Sequence, residues 1–479
     1  MLRNKSVWLL QTLIVILTLF SCSQQGENKN RLLTVNVGMA VQNFSVYPYF
    51  FYFYTDSAEI STFPAKNGDL LYIGYDEGAS YFRVKPKSPD TLTMLKKDGI
   101  NFFNDKPWSI ELYRSADSPQ LFRQLNKNDL KNIQALYIED HIRDEFLPFL
   151  DSLSEKNQQI DLVLSFNITD SVLSINKFDK KPTAEKNPLN YDSFKLVFRN
   201  NLEWLSKRFK PGLIIFSGPA TLINDLQVFK TVEILKIDIK NYSLSDSLPA
   251  LPSLKELIII DNSGEMLVPK GFLSQNSQLE KLTINGDFNP WMIDWKASVN
   301  IHSLHLFNTD SLYSFPYGKT LPKLNSLQLS GSGNLSVNDL SGLEKLKELG
   351  IPSSLEQGVF NEIIATQPEL EFLHIIESDT NFIKDYTALQ NLKHLRYLVI
   401  SGQNGQSNSL HPLQKLKFLS LPAEFFKDSI QLSALKKALP DTVITPNQGI
   451  CMGSGWLLLI VPVVALGVVV GRKFIHQEG

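Results

Sequence analysis

Cysteine is almost missing from this chain: Cys22 and Cys451 are the two present in 479 residues, and each lies beside an apolar end segment. The long stretch between them has no thiol, which excludes an internal disulfide framework and a cysteine-based zinc site. Histidine is scarce as well, with seven residues. The closest pair, His302 and His305, falls on an expected strand, where an offset of three points the rings to opposite faces, so they cannot share a metal. His305 is read as a surface residue. Charge of one sign is lacking too: 47 basic residues against 49 acidic ones give a net charge of -2. That balance offers no general attraction for nucleic acid or anionic lipid.

Catalytic signatures are also absent. The chain has no G-x-S-x-G elbow, no H-E-x-x-H and no C-x-x-C. Gly318-Lys319-Thr320 is not a phosphate loop, because Tyr313 stands where that motif needs its first glycine. The acidic neighbours Glu139-Asp140 and Asp144-Glu145 read as solvated charge. The expectation is a protein that is not an enzyme and that needs no cofactor and no metal.

The ends carry targeting patterns. Arg3 and Lys5 precede an apolar run from Val7 to Phe20, the pattern of a secretory signal over residues 1–21. Its tail, Leu19-Phe20-Ser21-Cys22, resembles the lipobox of bacterial lipoproteins, which implies lipidation of Cys22; an ordinary signal cut nearby, with Cys22 an incidental thiol, is the alternative. Residues 22–30 are polar and read as a tether. At the other end, residues 450–471 carry no charge, about 22 residues, enough to cross a hydrocarbon layer. Arg472 and Lys473 follow, so the positive-inside rule puts the tail 472–479 in the cytoplasm and the rest outside. Cys451-Met-Gly-Ser-Gly with the basic end also resembles a bacterial surface-sorting signal, and that alternative stays open.

What the chain has in abundance is one pattern, apolar-x-x-apolar-x-apolar. It recurs at Val232-Leu235-Ile237, Leu254-Leu257-Ile259, Leu279-Leu282-Ile284, Ile301-Leu304-Leu306, Leu324-Leu327-Leu329, Leu346-Leu349-Ile351, Leu370-Leu373-Ile375, Leu395-Leu398-Ile400 and Leu416-Leu419-Leu421, spaced by 21 to 25 residues. The pattern resembles the leucine-rich repeat, in which each copy gives one strand of a curved parallel sheet and returns by a helix or irregular turn. One copy cannot bury its apolar face alone; stacking buries all of them together. The usual asparagine after the last leucine is in place only at Asn262, with Asn241 one position late, so no continuous asparagine ladder runs along the turns. Earlier copies are expected around Leu136, Leu162 and Ile214, with Tyr191 to Lys210 as a return helix.

The resulting expectation is an α/β protein: an irregular leucine-rich-repeat solenoid over 116–446, clearest over 231–422, with a C-terminal transmembrane helix. Residues 31–115 differ, being rich in β-branched and aromatic residues, and are expected to form a β-rich cap over the solenoid's open end. Asp76-Glu77-Gly78 is the expected turn of a hairpin there. The aromatic run Tyr47 to Tyr54 suits core packing in that cap better than a sugar platform.

Residues interleaved with the buried leucines should line the concave face in columns. Phe372, His374, Ile376, Tyr397, Val399 and Phe418 gather at its C-terminal end. An exposed aromatic and aliphatic cluster of this kind is the candidate ligand-binding site; a fold-back of Leu432 to Pro446 over it is the alternative. The resemblance implies a membrane-anchored, extracytoplasmic protein that binds a protein, peptide or envelope polymer. The competing reading is a structural component of an envelope complex with no exchangeable ligand.

Overall fold

The computed structural model describes residues 31–446 apart from loop segments, of which the longest are 113–124, 166–190, 240–247 and 262–272. Each of the repeat copies becomes a short strand. They are β13 (Ile234–Ile239), β14 (Glu256–Asp261), β15 (Lys281–Asn285), β16 (Ser303–Leu312) and β17 (Ser326–Gly333). The series continues with β18 (Glu348–Pro352), β19 (Phe372–Ile376), β20 (Tyr397–Ile400) and β21 (Phe418–Leu421). All pair in parallel and in register, so that Leu235, Leu257, Leu282 and Leu304 stand side by side. The same row runs on through Leu327, Leu349, Leu373, Leu398 and Leu419. This is a leucine-rich-repeat solenoid.

The array begins earlier, as the spacing indicated. β10 (Ala135–Glu139), β11 (Asp161–Ser165) and β12 (Leu213–Ser217) bring Leu136, Leu162 and Ile214 into the same row. The return from β11 to β12 contains the helix Tyr191–Arg208, which buries Phe198, Leu202 and Leu205. Most other returns are 3-10 turns, which makes the solenoid irregular. Between the strand row and the returns lies one continuous apolar core. Each leucine buried there contributes on the order of 2 kcal/mol, so the array is stable by number rather than by any single copy.

The last segment adds a turn to the solenoid. Helix Ser429–Ala438 is capped by Asp428, whose side chain accepts from the backbone N–H groups of Ile430 and Gln431. β22 (Val443–Pro446) then pairs in parallel with β21, placing Ile444 beside Leu419. Leu432 to Pro446 therefore extends the sheet instead of folding back over the concave face.

The N-terminal part departs most from expectation. β9 (Lys106–Leu112) pairs in parallel with β10, so Ile110 continues the row at Leu136. β8 (Ile100–Phe103) and β7 (Thr91–Lys97) follow antiparallel; β7 pairs with β1 (Arg31–Val37), and β1 with β4 (Ile60–Ala65). β4 in turn lies beside β22. The 18-stranded sheet thus nearly closes on itself. A second sheet, in the order β3 (Phe51–Phe53), β2 (Val41–Tyr47), β5 (Leu70–Tyr75), β6 (Gly78–Arg83), completes this part. β5 and β6 form the expected hairpin, with Tyr75 opposite Gly78.

Among the described residues no helix is long and apolar enough to cross a membrane. Residues 1–30 with Cys22, the repeat-turn residues Asn241 and Asn262, and the segment 450–471 lie outside them. Of the aromatic run Tyr47 to Tyr54, the strands are described and the side chains are not.

Candidate functional site

The six residues read as an exposed binding patch are inside the protein. None of Phe372, His374, Ile376, Tyr397, Val399 and Phe418 is more than 9% exposed. Phe372, Tyr397, Val399 and Phe418 share one apolar cluster with Leu33 and Val35 of β1, Phe63 of β4, and Leu92 and Met94 of β7. Ile376 joins a second cluster with Leu70, Ile258 and Phe307, against which Tyr72 and Tyr81 pack. His374 Nε2 lies 3.0 Å from Ser401 Oγ, and burial pulls its imidazole down to about 3. The reading of this patch as accessible is thus corrected. The physical reason is period-two alternation in β1, β4 and β7: apolar residues on their inner faces supply the second layer that the concave side lacked.

A polar band crosses the same interior. The turn joining β4 to β5, with Gly68 at φ +94°, carries Lys66 and Asp69 into the concavity. Lys66 Nζ reaches Glu348 Oε1 at 2.7 Å and Oε2 at 2.9 Å. Lys281 Nζ pairs with Glu256 Oε2 at 3.2 Å. Burial alone would raise the Glu348 carboxyl, but the Lys66 ammonium overrides it and holds the group down at about 2. Asp69 shows the opposite balance: burial pushes it up to about 7 despite Lys66 and Lys281. Lys236 is drawn down to about 8 by burial, opposed by Asp238, and lies 5.7 Å over the Tyr81 ring.

His305 is corrected in the same way: expected at the surface, it is fully buried, its Nε2 within 3.0 Å of Ser303 Oγ and 2.9 Å of Ser326 Oγ. His302, on the opposite side of the strand, lies 3.6 Å from Glu280 Oε2. The Lys66–Glu348 pair ties the N-terminal turn to the solenoid strands and so helps fix how the two parts meet. Lys236, Glu256, Lys281, His305 and Glu348 alternate with the buried repeat positions, as the repeat spacing places them, whereas Lys66 and Asp69 come from outside the repeat.

The phosphate-loop lookalike is structural. Gly318 begins the tight contact of the short helix Tyr317–Thr320 with the Ser341 backbone, where a β-carbon would overlap the Ser341 carbonyl oxygen. Asp144 and Glu145 are exposed in a 3-10 turn, as solvated charge should be.

An open site does exist, on the rim where β9 meets the solenoid. A groove of about 450 Å³ opens beside Trp108, floored by Phe82 and Phe103 and edged by Lys85, Lys106 and Gln134. The Trp108 ring is 4.8 Å from Phe82 and edge-on to Phe103 at 5.5 Å, so its own neighbours hold it from behind. Lys85 Nζ donates to Gln134 Oε1 at 2.7 Å and lies 5.8 Å from the Trp108 ring centre. Burial lowers the Lys85 pKa, opposed by Asp161. The outer lip is the β8–β9 turn, where Asn104 and Asp105 both take positive φ, 49° and 61°, as a tight hairpin requires. Asn104 secures it by accepting from the Thr93 N–H at 2.7 Å. Sequence reasoning missed Trp108, because a single tryptophan in a β-rich strand looks like core.

No family model matches the chain, and no curated protein matches it. Among solved structures, it is similar to an internalin from Listeria monocytogenes, at 14% identity and a TM-score of 0.35, over 68% of this chain and 92% of that one. A leucine-rich-repeat protein of Leptospira interrogans is similar at 16% identity and a TM-score of 0.27, over 66% of this chain and 90% of that one. The repeat architecture of this chain rests on its own strand register.

Proposed function

We propose that this is a non-catalytic recognition protein whose concave face is occupied by its own N-terminal β unit, and which offers the rim around Trp108 to a protein, peptide or envelope polymer. The observation that supports it is a contrast. The concave columns are buried against Leu33, Phe63 and Met94, while the Trp108 groove stays open with an aromatic plate and two ammonium groups at its edge. Sites that take ligands are concave, partly apolar and furnished with a few fixed polar groups. The expectation about the termini carries over: a signal over 1–21 and a span over 450–471 would hold this unit outside a membrane, and mass spectrometry of the mature chain's two ends tests it.

Photo-crosslinking tests the placement of the binding surface. A benzoylphenylalanine at position 106 of the full chain should trap a partner in the cells that make it, whereas one at position 319, in a return segment, should not. Products from position 319 alone would overturn the reading. The filled interior also favours a second reading, a rigid spacer with no exchangeable ligand. That reading expects crosslinks from neither position.

A further inference from the structure

The rim reading leaves the ligand open, and the groove's chemistry narrows it. Among the described residues neither an aspartate nor a glutamate lines the groove, while Lys85 and Lys106 both do. Among the described residues neither lysine forms an ion pair. Of the nearby carboxylates, Asp90 pairs with Arg31 at 3.2 Å, and Asp161, which accepts from the Leu213 N–H at 3.0 Å, acts on Lys85 through its charge without a direct ion pair. Lys85 is held in place by Gln134 through one N–H and has two more to give. An ammonium positioned this way, with no direct ion pair among the described residues, gains from an anion.

The Trp108 ring adds a flat apolar plate beside those charges, fixed from behind by Phe82 and Phe103. An extended peptide binds best by pairing with a free strand edge. None is offered here, because β9 is already paired with β8 on one side and β10 on the other. A ring laid on the plate needs no such edge.

We propose that the groove binds an acidic sugar chain, with a pyranose ring stacked on Trp108 and its carboxylate between Lys85 and Lys106. This rests on the rim being the binding surface. Asn132 and Gln134 also line the groove, the Gln134 amide holding Lys85 through its oxygen and the Asn132 carbonyl through its nitrogen.

The test is calorimetry of the full chain with three defined probes: hexagalacturonate, neutral cellohexaose and hexaglutamate. The expected result is binding of hexagalacturonate alone, weakened about tenfold by Lys85→Gln and by Lys106→Gln, each removing one charge-assisted contact. Lys106 is exposed, so Lys106→Gln should keep the parent thermal midpoint. Trp108→Leu stays apolar but removes the plate and should abolish binding, with a thermal midpoint measured alongside to show that the variant is folded. Equal binding of cellohexaose overturns the acidic specificity, and hexaglutamate binding in its place overturns the sugar. Hexagalacturonate binding that ignores both lysine changes overturns the site. No binding of any probe, together with a crosslink from position 106, overturns the sugar while leaving the rim as the binding surface.

Discussion

Lys66 and Glu348, 282 residues apart in sequence, meet inside the protein with Lys66 Nζ 2.7 Å and 2.9 Å from the two carboxylate oxygens. One comes from the N-terminal turn and the other from the middle of the solenoid, so the contact ties the two parts in a single register. Their side chains are 14% and 9% exposed, and a pair so buried is costly to break from one side only. Lys66→Met should therefore lower stability by about 3–5 kcal/mol, because the buried Glu348 carboxylate loses its counter-charge. Lys66→Met combined with Glu348→Met should recover most of that loss. Urea unfolding of the single and double variants gives the comparison, and equal losses in both would mean that the pair does not hold the parts together.

The pH dependence of stability carries two opposed contributions. Asp69 is raised to about 7 from 3.8, so its ionisation is resisted by the folded protein. Its cost is absent below about pH 4 and grows as pH rises toward 7, on the order of 4 kcal/mol when complete. His374 is lowered to about 3 from 6.5, so the unfolded chain takes up its proton first. Stability from that histidine is present above pH 6.5 and falls as pH drops toward 3. In the parent protein these slopes offset one another between pH 4 and 6.5. Asp69→Asn should unmask the histidine and make stability fall on acidification, whereas His374→Gln should make it rise over the same interval. Thermal midpoints at pH 4, 5.5 and 7 decide; identical profiles for the two variants would contradict both assignments.

Phe372 and Leu33 belong to one apolar cluster although they come from β19 and β1. Phe372→Ser should cost several kcal/mol, since it opens a cavity and buries a hydroxyl. Leu33→Ala should cost about 2–5 kcal/mol for the cavity alone. If the two side chains pack on one another, the double variant should depart from the sum of the two separate losses. A solvent-facing Phe372 would instead tolerate serine within about 0.5 kcal/mol, so denaturation of the two single variants and the double variant separates a filled concavity from an open one.

The repeat row was legible because its signal is redundant: every copy from Leu136 to Leu419 places a leucine or isoleucine in one register, and any single copy could fail without hiding the array. The concave columns were legible for the same reason. What the repeat could not convey was what faces those columns. That layer comes from β1, β4 and β7, whose alternation marks an inner side without saying against which surface it packs. The long loop closure from Phe63 to Phe418 is a tertiary fact with no local signature. β22 was hidden for a different reason, since Val443 to Pro446 is too short to display a period.

Gly350 and Gln328 are direct neighbours on β18 and β17, and the glutamine side chain lies over the glycine. A β-carbon at position 350 would overlap Gln328 Oε1 and come within 3.2 Å of Ile376 Cδ1. The glutamine amide is buried and has no protein hydrogen-bond partner among the described residues, so it contributes bulk rather than bonding. Gly350→Ala should then destabilise by about 1–3 kcal/mol through overpacking. Gln328→Ala in the same chain should reverse that loss, because it clears the space and removes an unsatisfied buried amide together. Gln328→Ala alone should cost less than an apolar truncation of equal size, since the cavity penalty is offset by relief of the unpaired amide. Chemical denaturation of the three variants measures each step. If Gln328→Ala fails to rescue Gly350→Ala, the constraint at position 350 lies with Ile376 instead, and a smaller side chain at 376 should then restore stability where the change at 328 did not.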